Sequence, residues 1–215
     1  MRSFPFEVRF ELDGWKLFWA LLELESGHTD SLLPLTREVA NRVRREMRIE
    51  TLSEHPTVAG LRRLFRAAGC DPTRYRPSSE ALLRRLLKGE EMPTIHPLVD
   101  LNNCLSASLA VPCCVMAEEM LSPPFIFRAG TPGESYESLR GPFNLEGKPL
   151  LADAQGPCDA PITGGQRVKV TPDTRRAWLV AYLPAGVVEP EVVEQHLMEL
   201  LASAPVARVH LTAAT

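Results

Sequence analysis

HPLVDLNNCLSASLAVP, residues 96–112, marks the boundary between a helix-rich and a strand-rich half of this chain. Pro97 suits the first turn of a helix, and four leucines then follow at helical spacing. They are Leu98, Leu101, Leu105 and Leu109. The leucines form one buried stripe, so the polar residues between them lie around the side of the helix. Those polar residues are Asn102, Asn103 and Ser106.

Periodicity on either side of this helix predicts an α+β fold. Before it, a buried strand is predicted over 16–25 and helices over 34–47, 57–68 and from Ser78 to Gly89. After Pro112, strands are predicted over 125–128, 135–140, 148–152, 167–170 and 177–183, then a helix over 190–202 and an edge strand near 206–211. Because helices and strands do not alternate, we expect helices packed over a mixed or antiparallel sheet.

The chain length fits one domain spanning residues 1–215. Its helix-rich part covers about 30–110, its strand-rich part about 112–185, and a C-terminal helix and strand about 187–212. The apolar phase of these elements predicts seven largely buried residues. They are Leu101, Leu105, Phe125, Leu151, Val170, Leu179 and Ala181.

Composition favours a cytoplasmic protein without a membrane span. No apolar run reaches about 18 residues, and acidic residues interrupt the start where a signal peptide would be apolar. Five cysteines without a C-x-x-C pair suit free thiols in a reducing compartment, so we expect no metal and no cofactor. The five histidines are dispersed and suit surface or capping positions: His28, His55, His96, His196 and His210. Nucleotide-loop, zincin and serine-hydrolase motifs are absent from the sequence.

The net charge of −3 conceals a basic block. Residues 37–88 contain 13 Lys and Arg against 6 Asp and Glu, a balance of +7, so the remainder carries −10. Such a block could attract RNA phosphates, or its arginines could be the solvated faces of amphipathic helices. The candidates for RNA contact are Arg62, Arg63, Arg66, Arg84 and Arg85.

Four segments in one order resemble the B3/B4 editing module of the phenylalanyl-tRNA synthetase β chain, here as a free-standing domain. They are HPLVDLNNCLSASLAVP (96–112), FIFRAGTPG (125–133), GKPLLAD (147–153) and GGQRVKVTPDT (164–174). With the preceding YRPSSEALLRRLLKG, the resemblance extends over residues 57–183. It implies an α+β fold of the B3/B4 type and a tRNA or aminoacyl-tRNA partner.

The resemblance also implies a pocket between the Asn102 helix, Cys113–Cys114 and Gly164–Gly165. Its candidate residues are Asn102, Asn103, Ser106, Cys114, Thr163, Gly164, Gly165 and Val180. The asparagines and serine either close backbone hydrogen bonds or line the pocket. The two glycines either supply a turn with positive φ or allow a ligand to approach the backbone.

Two departures from the family pattern bear on catalysis. The editing histidine of the family falls at Cys114, and the glutamate that would recognise a tyrosine hydroxyl falls at Val180. Valine cannot accept a hydrogen bond, so selectivity for tyrosine is not carried over. Cys114 would be a nucleophile only if its pKa were lowered, and it is otherwise an inert buried thiol. The hypotheses are an aminoacyl-tRNA-binding module with trans-editing activity, a non-catalytic module for a small ligand or an RNA 3′ end, and an unrelated metabolic enzyme.

Overall fold

The structure is a computed structural model that describes residues 5–25, 27 and 32–215. His28 lies outside the described residues. The helices are α1 (Leu32–Glu46), α2 (Pro56–Ala67), α3 (Ser78–Leu87), α4 (Pro97–Leu109) and α5 (Pro190–Ser203). Short 3₁₀ turns occupy Leu52–Glu54 and Glu118–Met120. Within the described residues, no helix is both long enough and apolar enough to cross a membrane.

The strands form two main sheets. Their bounds are β1 (Val8–Phe10), β2 (Trp15–Leu24), β3 (Cys113–Ala117), β4 (Phe125–Ala129), β5 (Ser135–Ser138), β6 (Gly141–Asn144), β7 (Pro149–Asp153), β8 (Gly156–Ala160), β9 (Thr163–Gly164), β10 (Arg176–Pro184) and β11 (Ala207–Ala214). One sheet is antiparallel, in the order β11-β2-β10-β3. The other has the order β1-β4-β7-β8-β9 and is mixed, because β1 and β4 run parallel. β5 and β6 form a separate hairpin.

The antiparallel sheet is buried on both faces. In β10, Leu179 and Ala181 pack toward the helices, whereas Trp178, Val180 and Tyr182 pack toward the mixed sheet. Successive residues of a strand point to opposite faces, which is why a near-continuous apolar run is required here. The layers are therefore helices, antiparallel sheet and mixed sheet.

The turn between α4 and β3 brings the polar side of α4 against an edge strand. Ala110 ends the helix in the left-handed conformation, with φ of 58°. The Ser106 hydroxyl then donates to the Val111 carbonyl at 2.7 Å, which fixes the exit of the chain. β3 is the last strand of its sheet, so its residues on either face can reach the space beside it.

The α+β prediction is confirmed, and so is the burial of six of the seven predicted core residues. The prediction was wrong for Val170, which is half-buried, and for a strand over 167–170, which forms a turn and loop. Val168 is instead the buried residue of this segment, at 1% exposure. Several short strands, including β3 and β8, had no sequence signal strong enough to predict them.

Candidate functional site

A cavity of about 660 Å³ lies beside the edge strand β3. Its walls come from α3, α4, β3 and the chain between β8 and β10. The lining includes every pocket residue proposed from the sequence except Val180: Asn102, Asn103, Ser106, Cys114, Thr163, Gly164 and Gly165. Helix, strand and glycine segment thus border one cavity. Its volume is within the range of small-ligand sites, roughly 300–1,000 Å³.

Polar side chains on the α4 wall hydrogen-bond to the backbone and also line the cavity. Asn102 is 5% exposed, and its amide nitrogen donates to the Cys113 carbonyl at 3.3 Å. That bond fixes the amide orientation, and the Asn102 Oδ1 atom is left buried without a hydrogen-bond partner. Ser106 likewise uses its hydroxyl for the Val111 carbonyl. Asn103 is half-buried and lines the same wall.

Asp159 is the acidic side chain of the cavity lining, and sequence reasoning missed it. It lies on β8 and is completely buried. The Tyr182 hydroxyl donates to Oδ2, while Oδ1 has no hydrogen-bond partner within the described residues. Burial raises the pKa of the Asp159 carboxyl to about 7, although hydrogen bonds from the Tyr182 hydroxyl, the Cys114 thiol and the Ala160 backbone act in the opposite direction. The carboxyl therefore changes charge near neutral pH.

Cys114 and Val180 face each other across β3 and β10. Burial, followed by the nearby Asp159 carboxyl, raises the pKa of the Cys114 thiol well above its ordinary value. A thiol that stays protonated at neutral pH is a poor nucleophile. Val180 is completely buried between the sheets beside Trp178 and Tyr182, and it is not part of the cavity lining.

Gly164 and Gly165 are glycine for different structural reasons. Neither has a positive φ, so of the two alternatives the positive-φ turn is wrong at this site. A Cβ at Gly165 would lie 2.2 Å from the Cys158 carbonyl oxygen, so two backbone segments can approach each other because residue 165 has no side chain. A Cβ at Gly164 would lie at the cavity wall, 3.6 Å from Cys114 Sγ and 3.7 Å from Asp159 Oδ1.

Three exposed cations form the rim of the cavity: Arg85, Arg140 and Lys169. Arg85 pairs with Glu90 at 2.8 Å in an exposed ion pair. No ion pair is found for Arg140 or Lys169 within the described residues. Because Arg140 and Lys169 lie outside the basic block of the sequence, charge counting along the chain could not have placed them here.

The structure separates the five arginines proposed for RNA contact. Glu80 is completely buried and binds both Arg62, at 2.8 and 2.9 Å, and Arg84, at 2.9 Å. Arg62 therefore connects α2 to α3, whereas the Arg84–Glu80 pair lies within α3. Burial opposes ionisation of Glu80, but hydrogen bonds from Arg62 and Arg84 outweigh it and lower its pKa. Replacing Arg62 would leave this buried carboxylate with fewer partners, so an Arg62 variant tests folding as well as RNA contact.

Arg63 and Arg66 lie on the outer side of α2. Both are exposed, and neither forms an ion pair or side-chain hydrogen bond within the described part of the chain. Their charges are thus available to an external anion. Within the described residues, no group of three or more His, Cys, Asp or Glu side chains could hold a metal ion.

The family model of the B3/4 domain matches residues 60–197. The chain belongs to the B3/4 domain family. This match runs from within α2 to within α5 and includes the whole cavity lining. The fold is similar to that of an N-terminal fragment of the phenylalanyl-tRNA synthetase beta-subunit from Pyrococcus horikoshii, with a TM-score of 0.50 and 14% identity.

The alignment with the synthetase fragment covers 100% of this B3/4 chain and 55% of the fragment. This chain therefore corresponds to about half of the solved fragment. At 14% identity the likeness shows the fold alone. No curated protein matches the chain in sequence.

Proposed function

We propose that this B3/4 domain binds the 3′ end of aminoacyl-tRNA in the cavity and hydrolyses the ester of mischarged tRNA in trans. The observation that carries the proposal is the charge arrangement of the cavity, with cations at the rim and a buried carboxyl inside. Cations at the rim suit the phosphates of an RNA end. The apolar lining residues suit an amino-acid side chain, and they include Leu82, Val99, Ile162 and Val170.

In this reaction a water adds to the ester carbonyl carbon, the bond to the ribose oxygen breaks, and free amino acid and tRNA are released. The Cys114 thiol stays protonated, so we assign the attack to water and not to a covalent intermediate. The tRNA terminus and backbone amides near Gly164 and Gly165 would position that water. Donors held ready for the developing oxyanion are the usual source of rate enhancement in acyl transfer.

Side-chain selectivity is expected to be apolar. Val180 replaces the glutamate of the family pattern and is buried in the core, so no carboxylate at that position can accept a bond from a tyrosine hydroxyl. An apolar pocket discriminates weakly, by about 1–3 kcal/mol for each methylene. We therefore expect deacylation of several aliphatic aminoacyl-tRNAs with graded rates.

A non-catalytic binding module is the second candidate, and the lining favours it in one respect. The described lining residues include no histidine, and their cysteine thiols have raised pKa values because of burial. One assay on a panel of mischarged tRNAs distinguishes binding from hydrolysis. Release of amino acid above the uncatalysed rate supports editing. Saturable binding of aminoacyl-tRNA without faster release supports the binding module.

RNA binding is tested by titrating tRNA at two salt concentrations. Replacing Arg63 and Arg66 by Gln removes two free cations from α2, and Arg208→Gln is the matched control, since this exposed arginine lies on β11 outside the basic block. If both arginines contact phosphates, the log-log salt slope falls by about 1.4–1.8 in the double variant. An unchanged slope removes α2 from the RNA contact. Absence of binding at low salt contradicts the proposed function.

A further inference from the structure

Two hydrogen-bond acceptors in the cavity wall have no partner within the described residues. They are Oδ1 of Asp159 and Oδ1 of Asn102, on side chains that are 0% and 5% exposed. A buried polar atom without a partner is costly, so such atoms point to a ligand that completes the site. Both atoms belong to residues that line the same cavity.

The two acceptors come from different elements, α4 and β8, and each side chain lies beside a residue of β3. Asn102 bonds to the carbonyl of Cys113. The site of a Cβ at Gly164 lies near both Asp159 Oδ1 and the Sγ atom of Cys114, at 3.7 and 3.6 Å. Cys113 and Cys114 are consecutive in β3, so Asn102 and Asp159 border the same stretch of the cavity wall.

The serine and cysteine side chains on the α4 and β3 side of the cavity donate to backbone carbonyls. Ser106 and Cys113 both donate to the Val111 carbonyl, at 2.7 and 3.5 Å. The Cys114 thiol lies 3.7 Å from the Val115 carbonyl and also hydrogen-bonds the Asp159 carboxyl. The open acceptors Asp159 Oδ1 and Asn102 Oδ1 therefore favour a ligand that carries N–H groups.

Access to Asp159 depends on Gly164. A methyl group at residue 164 would sit against Oδ1 of Asp159, and glycine leaves that space open. Neither backbone conformation nor tight packing requires glycine at this residue, because its φ is not positive and its nearest neighbour would be the flexible end of Leu139 at 3.1 Å. This contrasts with Gly165, where a backbone oxygen excludes any side chain.

Asp159 is also the group of this cluster that titrates near neutral pH. The titratable groups that face it are Cys114 from β3, Tyr182 from β10, Tyr136 from β5 and the adjacent Cys158. Burial raises the pKa of each of them, so all stay neutral at pH 7. A cation beside Asp159 would stabilise the carboxylate that burial disfavours.

We infer that Asp159 and Asn102 bind the α-ammonium group of the aminoacyl ester, because Oδ1 of each is a buried acceptor without a partner among the described residues and both side chains line the same cavity. This inference rests on the proposed function and names the part of the substrate that the inner wall recognises. The ammonium supplies three N–H donors and one positive charge. The cationic rim then lies toward the phosphates, so the polarity of the cavity fixes the direction in which the RNA end enters.

Two non-hydrolysable probes test the inference by calorimetry at pH 7.5. One is 3′-deoxy-3′-(L-leucylamino)adenosine, and the other is its 4-methylpentanoyl analogue, which lacks the α-amino group. A bond to a charged donor predicts that wild-type protein binds the amine at least about tenfold more tightly. In Asp159→Asn the ratio of the two affinities falls to within about twofold. Asp13→Asn removes an equal charge from an exposed loop and retains the wild-type ratio.

The comparison of probes on wild-type protein needs no variant, so it stands even where Asp159→Asn does not fold. Equal affinity for the two probes, or a preference that persists in folded Asp159→Asn, overturns the inference. An RNA hairpin ending in CCA is titrated in parallel. If the hairpin binds while the amine gives no advantage, recognition of the amine is refuted and the proposed function stands. If neither the hairpin nor the probes bind, both fail.

Discussion

Replacing Arg62 by Gln should destabilise the protein, although Arg62 belongs to a helix face that looks solvated in the sequence. The Arg62 side chain is 15% exposed and makes two hydrogen bonds to Glu80, which is 0% exposed. Removing one partner of a buried ion pair costs about 3–5 kcal/mol. Arg84 remains bound to Glu80, so we expect a loss of about 2–4 kcal/mol in the free energy of unfolding at pH 7.

The dependence of this loss on pH follows from the lowered pKa of Glu80. Its folded pKa is below the unfolded value of about 4.3, so the stabilisation is fully present above that pH and disappears as pH falls through the folded pKa. The difference in the free energy of unfolding between wild type and Arg62→Gln should therefore be large at pH 7 and smaller near pH 3, as measured by urea unfolding. The assay follows the unfolding midpoint by tryptophan fluorescence.

Arg63→Gln is the matched control, because Arg63 is the neighbouring residue on α2 and is exposed. We expect a change within about 0.5 kcal/mol. A cost below about 1 kcal/mol for Arg62→Gln, or equal costs for the two variants, would refute the structural role of the Arg62–Glu80 pair. Loss of RNA binding in Arg62→Gln is consequently not evidence of a phosphate contact unless the variant is shown to be folded.

Three further predictions concern the cavity and the core. The pKa of about 7 for Asp159, against about 3.9 unfolded, means that the folded state favours the protonated carboxyl, so stability falls between pH 4 and 7 by roughly 4 kcal/mol from this group. Asp159→Asn should remove this decrease in the free energy of unfolding, as measured by urea unfolding across that pH range. The same pH dependence in the variant as in wild type would contradict the prediction. Gly165→Ala should cost about 3 kcal/mol because of the Cys158 carbonyl, whereas Gly164→Ala should stay within about 1 kcal/mol, and equal melting temperatures would refute the difference. Leu105→Ala, in the centre of the helix-side core, should cost about 2–5 kcal/mol in urea unfolding, and a cost below about 0.5 would show a mispositioned α4.

The positions of Arg140, Lys169 and Asp159 explain why the candidate site was only partly predictable. The first two are isolated cations in loops, and Asp159 follows a buried cysteine in a five-residue strand. Nothing in their local pattern distinguishes them from solvated charges. They line one cavity because β8, the 139–140 turn and the 168–172 loop meet beside β3.

The sequence alone determined the positions of the helices, the buried strands β2 and β10, and the α+β fold, because these depend on apolar periodicity within single segments. It also carried the family motifs, so the helix, cysteine and glycine borders of the cavity could be predicted. Only the tertiary structure decided that Arg62 binds Glu80, that Val180 lies in the core and that Asp159 Oδ1 has no hydrogen-bond partner in the part of the chain that the structure describes. Ion pairing and burial depend on contacts between residues distant in the chain, and a local pattern does not encode those contacts.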